Sequence, residues 1–525
     1  MKKKFFISFI IAIFLFGCTS TQIYAEEVYS INNKEDLIRF AEEVNNGKSF
    51  EGVIVKLNSD IDLEGTTNNQ WIPIGVTEET AGNFIEDDTE RKSFKGTFEG
   101  NNHTISGIYM DGDSNLSGLF ALNDGIIRNL NVKNSVINAA GAYSGAIAAF
   151  STGHIINCNN YVDIKSTCSA GATGGIVGYA TAGARIINCS NYGKVTNTNG
   201  AFCGGISGYT WASDIIRCIN YADIVNEKWA AGGISGYSQT SNIYECANNG
   251  NVKSMRYSGG VIACLVGYSQ MRYCYNTGDV TNINEDTKIM VGGLCGSLSM
   301  ESTSSLVESC YNVGSISYTQ SNAEKVNIGK LFGEIQGEST GKITKTYFLY
   351  ENDDINAYGG DIKSDYETIA KETIELKSDE IVEVLNSTIT DADIENDKFK
   401  LFSQDGKAYV KDINSDNSGY PIFYWQQKEL PNTDIKNPDD NEDKKDANTY
   451  DKKNQSQEEL DEKLYPQESE EQYDEEEKVV TSTTANTNIP QAGSGIGSYV
   501  TLAVIVIFIF IMYIKNKKYK NIEWK

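Results

Sequence analysis

The chain has 525 residues with 71 acidic and 45 basic side chains, which gives a formal net charge of −26. This charge argues against a nucleic acid as partner, because the phosphate backbone would repel it. The sequence holds two histidines and no pair of cysteines separated by two residues, so the usual zinc-ligand spacings are missing and we predict neither a metal nor another cofactor.

The N-terminus has the pattern of a secretory signal, with lysines at positions 2–4 followed by an apolar run over residues 5–16. Such a run is too short for a permanent membrane span, so we predict an exported chain with residues 1–25 as signal peptide. Two processing sites compete. One would place a lipid on Cys18, and the other is ordinary cleavage after Ala25. We favour cleavage after Ala25, because the C-terminus already carries an anchor.

Residues 33–47 carry the clearest helix pattern, which Asn33 can cap and Gly47 can end. The apolar positions that fall on one face are Leu37, Phe40, Ala41 and Val44. The helix precedes the first strands. We therefore predict that it covers the open end of the strand stack, whose exposed edge would otherwise pair with another chain.

Two short apolar stretches, residues 53–63 and 94–108, come next and are interpreted as the first, irregular members of a strand stack. The polar stretch between them, 76–92, is predicted to be a protruding loop, the kind of segment in which binding functions concentrate. Residues 26–116 are thus assigned to an N-terminal cap and the first strands.

One pattern then returns eight times between residues 117 and 349: a glycine-flanked aliphatic run such as GGISGY, followed by a second run such as IINC. The aliphatic run gives a first column of residues: Leu119, Ile147, Ile176, Ile206, Ile234, Leu265, Leu294 and Leu331. The second run gives another column: Leu130, Cys158, Cys189, Cys218, Cys246, Cys274, Cys310 and Tyr347. Asparagines stand two residues after each cysteine: Asn160, Asn191, Asn220, Asn248, Asn276 and Asn312.

Three short apolar runs per repeat, separated by Gly, Asn, Ser and Thr, predict three strands joined by turns. A strand of this kind cannot bury its apolar face alone, so equivalent strands should stack as parallel ladders. The predicted fold is mainly β: a right-handed parallel β-helix, or β-solenoid, of about eight or more rungs, each rung being one turn of the coil. At about 4.8 Å per rung, eight rungs would extend roughly 40 Å. The asparagines should stack at a turn, in left-handed backbone, and hydrogen-bond to the next rung.

Eleven cysteines in an exported chain would normally indicate disulfides. Six of them, however, occupy one column, where side chains on adjacent parallel strands point in the same direction. That arrangement suits small buried apolar groups better than the strict dihedral of a disulfide. We predict mostly free, buried thiols.

The repeats GGIVGY, GGISGY and GGLCGS, with IINCNNYVDI and YCYNTGDV between them, resemble the GLUG repeat of bacterial cell-surface proteins. The resemblance covers most of residues 30–426 and includes NSDIDLEG, WIPIG and FKGTFEGNNHTISGI ahead of the repeats. It implies a surface location. In the family such repeats also occur beside the catalytic domain of IgA-specific metallopeptidases, but the HExxH motif that such an enzyme needs is missing from this sequence.

After the repeats, residues 350–426 hold a helix candidate at 378–386 and end on the aromatic segment SGYPIFYWQ. We predict that this region caps the last rung. Residues 427–488 then change in composition, with nineteen acidic and eight basic side chains between 428 and 478. This pattern predicts a disordered acidic linker.

The C-terminus, residues 489–525, combines a pentapeptide, an apolar run over 499–514 and a basic tail. The order resembles an LPXTG-like cell-wall sorting signal of Gram-positive bacteria, with Ile489, Pro490, Gln491, Ala492 and Gly493 as the sortase recognition residues. It implies sortase and peptidoglycan as partners. The alternative is a plain membrane anchor, in which 499–514 forms a transmembrane helix. Either reading predicts a protein at the cell surface.

A rod held at the surface by an acidic stalk suits an adhesin that binds extended glycans or matrix proteins. Tyr179, Tyr209, Tyr237 and Tyr268 form a column of aromatic residues that is a candidate ligand-facing surface, with corner packing as the alternative. A passive surface spacer would have the same architecture without a ligand.

Catalysis is the remaining alternative, because parallel β-helices also host polysaccharide lyases and glycosidases that use clustered carboxylates. The nearest approach to such a cluster is Asp60, Asp62, Asp111 and Asp113. The first two match the pattern ahead of the GLUG repeats and the other two are typical of turns. We therefore expect no enzymatic activity.

Overall fold

The computed structural model describes residues 27–75, 92–112, 114–283, 288–300, 302–319, 326–336, 340–360, 366–395, 401–403 and 405–427. All of them belong to the first of two compact units, Met1–Ile435 and Lys436–Lys525. The predicted signal peptide, nearly all of the acidic linker and the entire sorting signal, including Ile489–Gly493 and the 499–514 span, lie outside these residues. Within the described part of the chain, no helix is long and apolar enough to cross a membrane.

Five sheets with parallel pairing form a β-solenoid, and the chain visits them in a fixed order. Sheet 1 has eleven strands: Glu27–Ile31, Val53–Leu57, Thr97–Glu99, Ile126–Arg128, His154–Ile156, Arg185–Ile187, Asp214–Ile216, Asn242–Tyr244, Gln270–Arg272, Leu306–Glu308 and Lys342–Thr344. Sheet 2 also has eleven: Ile61–Asp62, Thr104–Ser106, Asn131–Val132, Asn159–Asn160, Ser190–Asn191, Ile219–Asn220, Ala247–Asn248, Tyr275–Asn276, Tyr311–Asn312, Thr346–Leu349 and Thr368–Lys371.

The other three sheets have eight strands each, so eight rungs are complete. Sheet 3 comprises Tyr109–Gly112, Val136–Ala139, Ile164–Ser166, Val195–Asn197, Ile224–Asn226, Val252–Ser254, Val280–Asn282 and Ile316–Tyr318. Sheet 4 comprises Leu116–Ser117, Tyr143–Ser144, Ala172–Gly174, Phe202–Gly204, Ala230–Gly232, Tyr257–Gly259, Ile289–Gly292 and Val326–Gly329. Sheet 5 comprises Phe120–Asn123, Ala148–Ser151, Val177–Ala180, Ser207–Trp211, Ser235–Gln239, Ile262–Val266, Cys295–Ser299 and Phe332–Gln336.

The predicted parallel solenoid of about eight or more rungs is confirmed, but the prediction of three strands per rung is wrong, because there are five. Two of the three predicted strands are each divided into two shorter strands by a corner of the backbone, which gives five. Ahead of each interior cysteine the backbone turns left-handed, with φ of 56° at Asn188 and 54° at Arg217, and this corner separates sheet 1 from sheet 2. A glycine pair separates sheet 4 from sheet 5. A Cβ on Gly175 would overlap the carbonyl oxygen of Gly205, so only glycine fits there.

The asparagine column forms the predicted ladder inside the coil. Asn160 Nδ2 donates to Asn191 Oδ1 at 2.8 Å, and Asn191 Nδ2 donates to Asn220 Oδ1 at 2.8 Å. Each of these amides also donates to the carbonyl oxygen two residues ahead, as Asn160 does to Val162 at 3.0 Å. The expectation of left-handed backbone at this column is wrong, because the positive φ values fall three residues earlier, as at Asn157.

The cysteines behave as predicted in the described part of the chain, where all ten are free and buried. In the central column Cys189 Sγ donates to the Ile187 carbonyl oxygen at 3.3 Å and accepts from the backbone N–H of Cys158 at 3.5 Å. Burial raises the pKa of the Cys189 thiol well above its ordinary value. Cys18, the eleventh, lies outside the described residues.

Two column assignments need correction. Val261, not Leu265, continues the aliphatic column, because the Val261 N–H donates to the Leu294 carbonyl oxygen and Leu265 pairs with Ser238 in sheet 5. Tyr347 pairs with the outward-facing Tyr311, so it is shifted by one residue from the cysteine column.

The N-terminal helix spans Lys34–Asn45 as predicted, and Asn33 Oδ1 accepts from the Asp36 N–H at 2.9 Å. Leu37, Phe40, Ala41 and Val44 are buried in the main core. A strand that we did not predict, Glu27–Ile31, precedes the helix and pairs with Val53–Leu57. The function of the helix as a cover, like the handedness of the coil, stays a prediction.

The C-terminal segment, defined here as residues 373–427, includes a helix at Asp379–Asn386, where a helix was predicted at 378–386, and Ser378 Oγ caps it by accepting from the Ile381 N–H at 3.3 Å. Its other elements are helices Thr373–Leu376 and Asp391–Glu395, the antiparallel pair Tyr409–Val410 and Ile422–Phe423, and the 3-10 turn Tyr424–Gln426. We expected its aromatic end to cover the last rung. It packs instead against outward-facing tyrosines of sheet 2 on the flank of the coil, because that flank is apolar in the later rungs.

Candidate binding surface

Three of the four predicted tyrosines form a real column on the outside of sheet 5. Tyr179 pairs with Tyr209, and Tyr209 pairs with Tyr237. The next residue in this column is Cys264, so the assignment of Tyr268 is wrong. Tyr268 lies four residues further along, in a second VGY sequence that imitates the repeat, and it is 67% exposed.

Aromatic side chains from sheets 4 and 5 pack against one another outside the main core, across the corner made by the glycine pair. Tyr143 of sheet 4 lies 5.2 Å from Tyr179 of sheet 5, measured between ring centroids, and Phe202 of sheet 4 lies 4.8 Å from Tyr237 of sheet 5. We call this set the aromatic strip: Tyr143, Phe150, Tyr179, Phe202, Tyr209, Trp211, Trp229, Tyr237 and Tyr257. It follows five consecutive rungs, roughly 20 Å at the spacing of parallel strands.

Exposure varies along the aromatic strip. Tyr179 is only 2% exposed and stacks on Tyr209 with centroids 4.7 Å apart, so it packs the corner. Tyr209 and Tyr237 are half-buried, and Trp229 is 38% exposed. Burial raises the pKa of Tyr209 and of Tyr257 to about 12, so both phenols stay protonated hydrogen-bond donors at neutral pH. The strip therefore presents ring surface and hydroxyl groups together.

A second ladder of tyrosines follows the interior asparagines in three rungs. Tyr161, Tyr192 and Tyr221 are 41%, 43% and 42% exposed, with successive centroids 4.7 and 4.8 Å apart and ring planes within 4°. Lys133 Nζ lies 4.6 Å from the Tyr161 centroid. Neighbouring rings cover both faces of Tyr192 and one face each of Tyr161 and Tyr221, so the ladder presents mostly ring edges and hydroxyls. Sequence reasoning missed this ladder, although the repeated Asn-Tyr pair indicates it.

A cleft of about 900 Å³ lies beside the N-terminal helix and is lined in part by Asn45, Gln70 and Trp71. Its strongest hydrogen-bonding groups hold the neighbouring loop in place. Asn45 Oδ1 accepts from the Gly75 N–H at 2.7 Å, and Gln70 Oε1 accepts from the Asp111 N–H at 2.8 Å. The cleft is therefore a weaker candidate than the aromatic strip.

Two of the four carboxylates considered for catalysis, those of Asp60 and Asp62, accept hydrogen bonds from backbone N–H groups. Asp60 Oδ1 accepts from the Thr104 N–H at 2.9 Å and lies 3.1 Å from His103 Nδ1, and these contacts lower the pKa of Asp60. Asp62 Oδ1 accepts from the Glu64 N–H at 2.9 Å, and Asp113 lies outside the described residues. Among the residues that the structure describes, no group of three His, Cys, Asp or Glu side chains is placed to hold a metal ion.

Residues 169–196 match the family described as the GLUG motif. The match begins just before strand Ala172–Gly174 and ends within Val195–Asn197, so it corresponds to one rung of the coil. A solved structure described as "a putative immunoglobulin A1 protease from Bacteroides ovatus" is similar, with a TM-score of 0.41 and 19% identity over 76% of this chain and 93% of that chain. No curated protein matches the sequence.

Proposed function

We propose that the protein is a surface-anchored β-solenoid adhesin whose aromatic strip binds extended glycans. The observation that carries the proposal is a row of aromatic rings on the outside of five consecutive rungs, in which Phe150 and Tyr179 are buried and the other rings are partly exposed. A soluble fold gains little by leaving such a row partly exposed, and exposed apolar patches commonly mark interaction sites.

A linear ligand fits this geometry because the strip runs along the stacking direction of the sheets. The rings of Tyr209, Tyr237 and Trp229 offer apolar faces or edges to sugar rings, and phenol hydroxyls offer hydrogen bonds. Tyr209 Oη already donates to Gln239 Oε1 at 3.2 Å, so a polar group lies beside the rings. This mixture favours a polysaccharide over a purely apolar partner.

Surface attachment is the second part of the proposal and depends on the sequence of residues 489–525. Sortase would cleave after Ala492 and join that residue to peptidoglycan, and the basic tail would hold the precursor at the membrane. Release of the protein by a muramidase, with wall fragments on Ala492, is the expected result. Recovery only in the detergent-soluble membrane fraction, with the peptide around Gly493 intact, would replace sorting by a plain membrane anchor.

Binding is tested with the full-length chain on arrays of neutral and acidic polysaccharides. We expect retention of at least one extended polymer and a loss of about tenfold or more in affinity for Tyr237→Ala, because tyrosines are enriched among the few residues that contribute most of the binding free energy at an interface. Tyr192→Ala, in the second ladder, is the matched control and should bind as the unchanged chain does. Silence on every array would favour the passive spacer, and new reducing ends or unsaturated products would favour an enzyme.

A further inference from the structure

One edge of the aromatic strip carries a cation directly on an aromatic ring. The guanidinium carbon of Arg256 lies 4.3 Å from the Trp229 ring centroid. Arg256 is half-buried, and its Nε is buried without a hydrogen-bond partner among the described residues. A buried donor that lacks a partner in the free protein is a candidate contact for a ligand.

The backbone around this pair is fixed by hydrogen bonds. The buried Asn226 accepts from the Trp229 N–H at 2.8 Å and donates to the Ala230 carbonyl oxygen at 3.0 Å. The Trp229 carbonyl oxygen in turn accepts from the N–H groups of Arg256 at 2.9 Å and Tyr257 at 3.1 Å. The backbone that carries the Trp229 and Arg256 side chains is thus held in place before any ligand arrives, which lowers the entropic cost of binding.

Arg256 differs from the other arginines that the structure describes. Five of these have a carboxylate oxygen within 4.0 Å: Arg39, Arg128, Arg185, Arg217 and Arg272. Arg256 has no carboxylate partner among the described residues. An arginine on an aromatic surface without its own counter-ion is suited to an anion supplied by a partner.

The charge of the surrounding rungs is also unlike that of the chain as a whole. Residues 125–283 contain ten basic and six acidic side chains, although the whole chain has a net charge of −26. Arg128 and Arg272 are paired with carboxylates outside this range, Glu99 and Glu308, so the rungs that carry the aromatic strip have a small excess of positive charge. A negatively charged polymer would be attracted to this part of the coil and repelled by the acidic C-terminal region.

We propose that the Trp229–Arg256 pair is an anion-binding subsite of the aromatic strip, and that the ligand is an acidic polysaccharide. A carboxylate or sulfate of the polymer accepts hydrogen bonds from the guanidinium group, and the sugar rings continue along the strip past Tyr237. This proposal rests on the proposed glycan-binding function and specifies its ligand class. A planar guanidinium suits such groups because it donates two parallel hydrogen bonds.

The test measures binding of the full-length chain to matched polymers. Polygalacturonate is compared with its carboxyl-reduced form and dextran sulfate with dextran, which separates carboxylate from sulfate as the preferred anion. We expect at least one acidic polymer to bind about tenfold more tightly than its neutral counterpart, because a hydrogen bond between two charged groups is stronger than one between neutral groups. The preference should weaken as the salt concentration rises.

Arg256→Gln should abolish the preference for the acidic polymer while leaving weak binding to the neutral one. Arg185→Gln is the matched control. Arg185 lies in sheet 1, away from the aromatic strip, and its guanidinium group is 4.0 Å from Asp214, so this change should leave the preference for the acidic polymer unchanged. Arg256→Lys keeps the charge but loses the planar fork, so it should retain only part of the preference. Unchanged thermal unfolding of each variant would show that the fold is intact.

Equal affinity for acidic and neutral polymers, or an unchanged preference in Arg256→Gln, would overturn the subsite while leaving glycan binding in place. Equally tight binding of poly-glutamate would overturn the assignment to a polysaccharide, because that polymer has the charge without the sugar rings. Failure of every polymer to bind would overturn the proposed function together with the subsite.

Discussion

The corner between sheets 1 and 2 has different outer surfaces in the two halves of the coil. In the earlier rungs it carries an outer asparagine ladder, in which Asn157 Nδ2 donates to Asn129 Oδ1 at 2.9 Å and Asn188 Nδ2 donates to Asn157 Oδ1 at 2.6 Å. In the later rungs the same backbone position holds Tyr273 and Ser309, and both contact the C-terminal segment.

The neighbouring outward position changes in the same way. It is polar at Asn159 and Ser190, becomes apolar at Ile219, and is aromatic at Tyr275 and Tyr311. The interior columns do not change between the two halves, since the column cysteines are buried in both. Inward-facing residues thus determine the fold of each rung, whereas outward-facing residues determine whether the C-terminal segment packs on that rung.

The largest expected effect comes from removing an aromatic ring under the C-terminal segment. Tyr311 is 1% exposed, stacks on Tyr275 with centroids 5.0 Å apart, and bonds to Asn417 and to the Pro421 carbonyl oxygen. Tyr311→Ala should reduce the free energy that holds the segment by about 3 to 5 kcal/mol. Limited proteolysis should then cut within residues 373–427.

The matched change in the earlier half is Tyr192→Ala, which removes a ring of similar size that is 43% exposed. It should lower stability by about 1 kcal/mol or less and leave the protease pattern unchanged. Equal sensitivity of the two variants would contradict the distinction between covered and uncovered flanks.

A smaller loss of stability is expected when an asparagine is removed from the inner ladder, and the outer ladder provides the control. Asn220→Ala removes hydrogen bonds to Asn248 and to the Ala222 carbonyl oxygen, both 2.7 Å, and leaves the buried Asn191 amide without its acceptor. We expect a loss of about 2 to 4 kcal/mol in chemical denaturation. Asn188→Ala, in the exposed outer ladder, should lose about 0.5 kcal/mol. Similar losses would show that inward and outward columns contribute alike.

The last effect is absent at neutral pH and appears only in alkaline solution, because it is the dependence of stability on pH that the buried thiols create. Burial raises the pKa of Cys189, Cys246 and Cys274 in the folded protein, whereas unfolded thiols titrate near 8.5. Stability should therefore be complete below about pH 8.5 and fall above it by about 1.4 kcal/mol per pH unit for each thiol. Denaturation under reducing conditions measures this slope, and Cys246→Ala should flatten it. A slope that does not change would contradict the burial of this thiol.

The rung period and interior columns were predictable because burial imposes the same residue types at the same spacing. One error arose where a short sequence resembles the repeat but does not lie at the repeat spacing. The VGY at 266–268 imitates the repeat, yet Gly259 pairs with Gly232 and fixes the register four residues earlier. The five-strand rung was missed because residues as different as Asn188, Arg217 and Tyr273 occupy the left-handed corner, so no sequence pattern marks it.

The side-on packing of the C-terminal segment was missed because it depends on contacts between residues far apart in sequence. Trp425 Nε1 donates to Glu245 Oε2 at 2.8 Å across 180 positions. The change from Ser190 to Ile219 and Tyr275 in one outward column is the sequence pattern that indicates such a cover. The aromatic strip has a comparable outward pattern, with Phe202 and Tyr257 in sheet 4, but no described segment of the chain covers it fully.

Hydroxyl-radical footprinting of the full-length chain, with and without polygalacturonate, tests most directly whether the two aromatic surfaces have different covers. Tyr275 and Tyr311 should be protected in both samples, because the chain itself covers them. Tyr237 and Trp229 should be oxidised in the free chain and protected only when the polymer is added. Protection of the aromatic strip without polymer, or no change on its addition, would contradict the assignment of the strip to an acidic polysaccharide ligand.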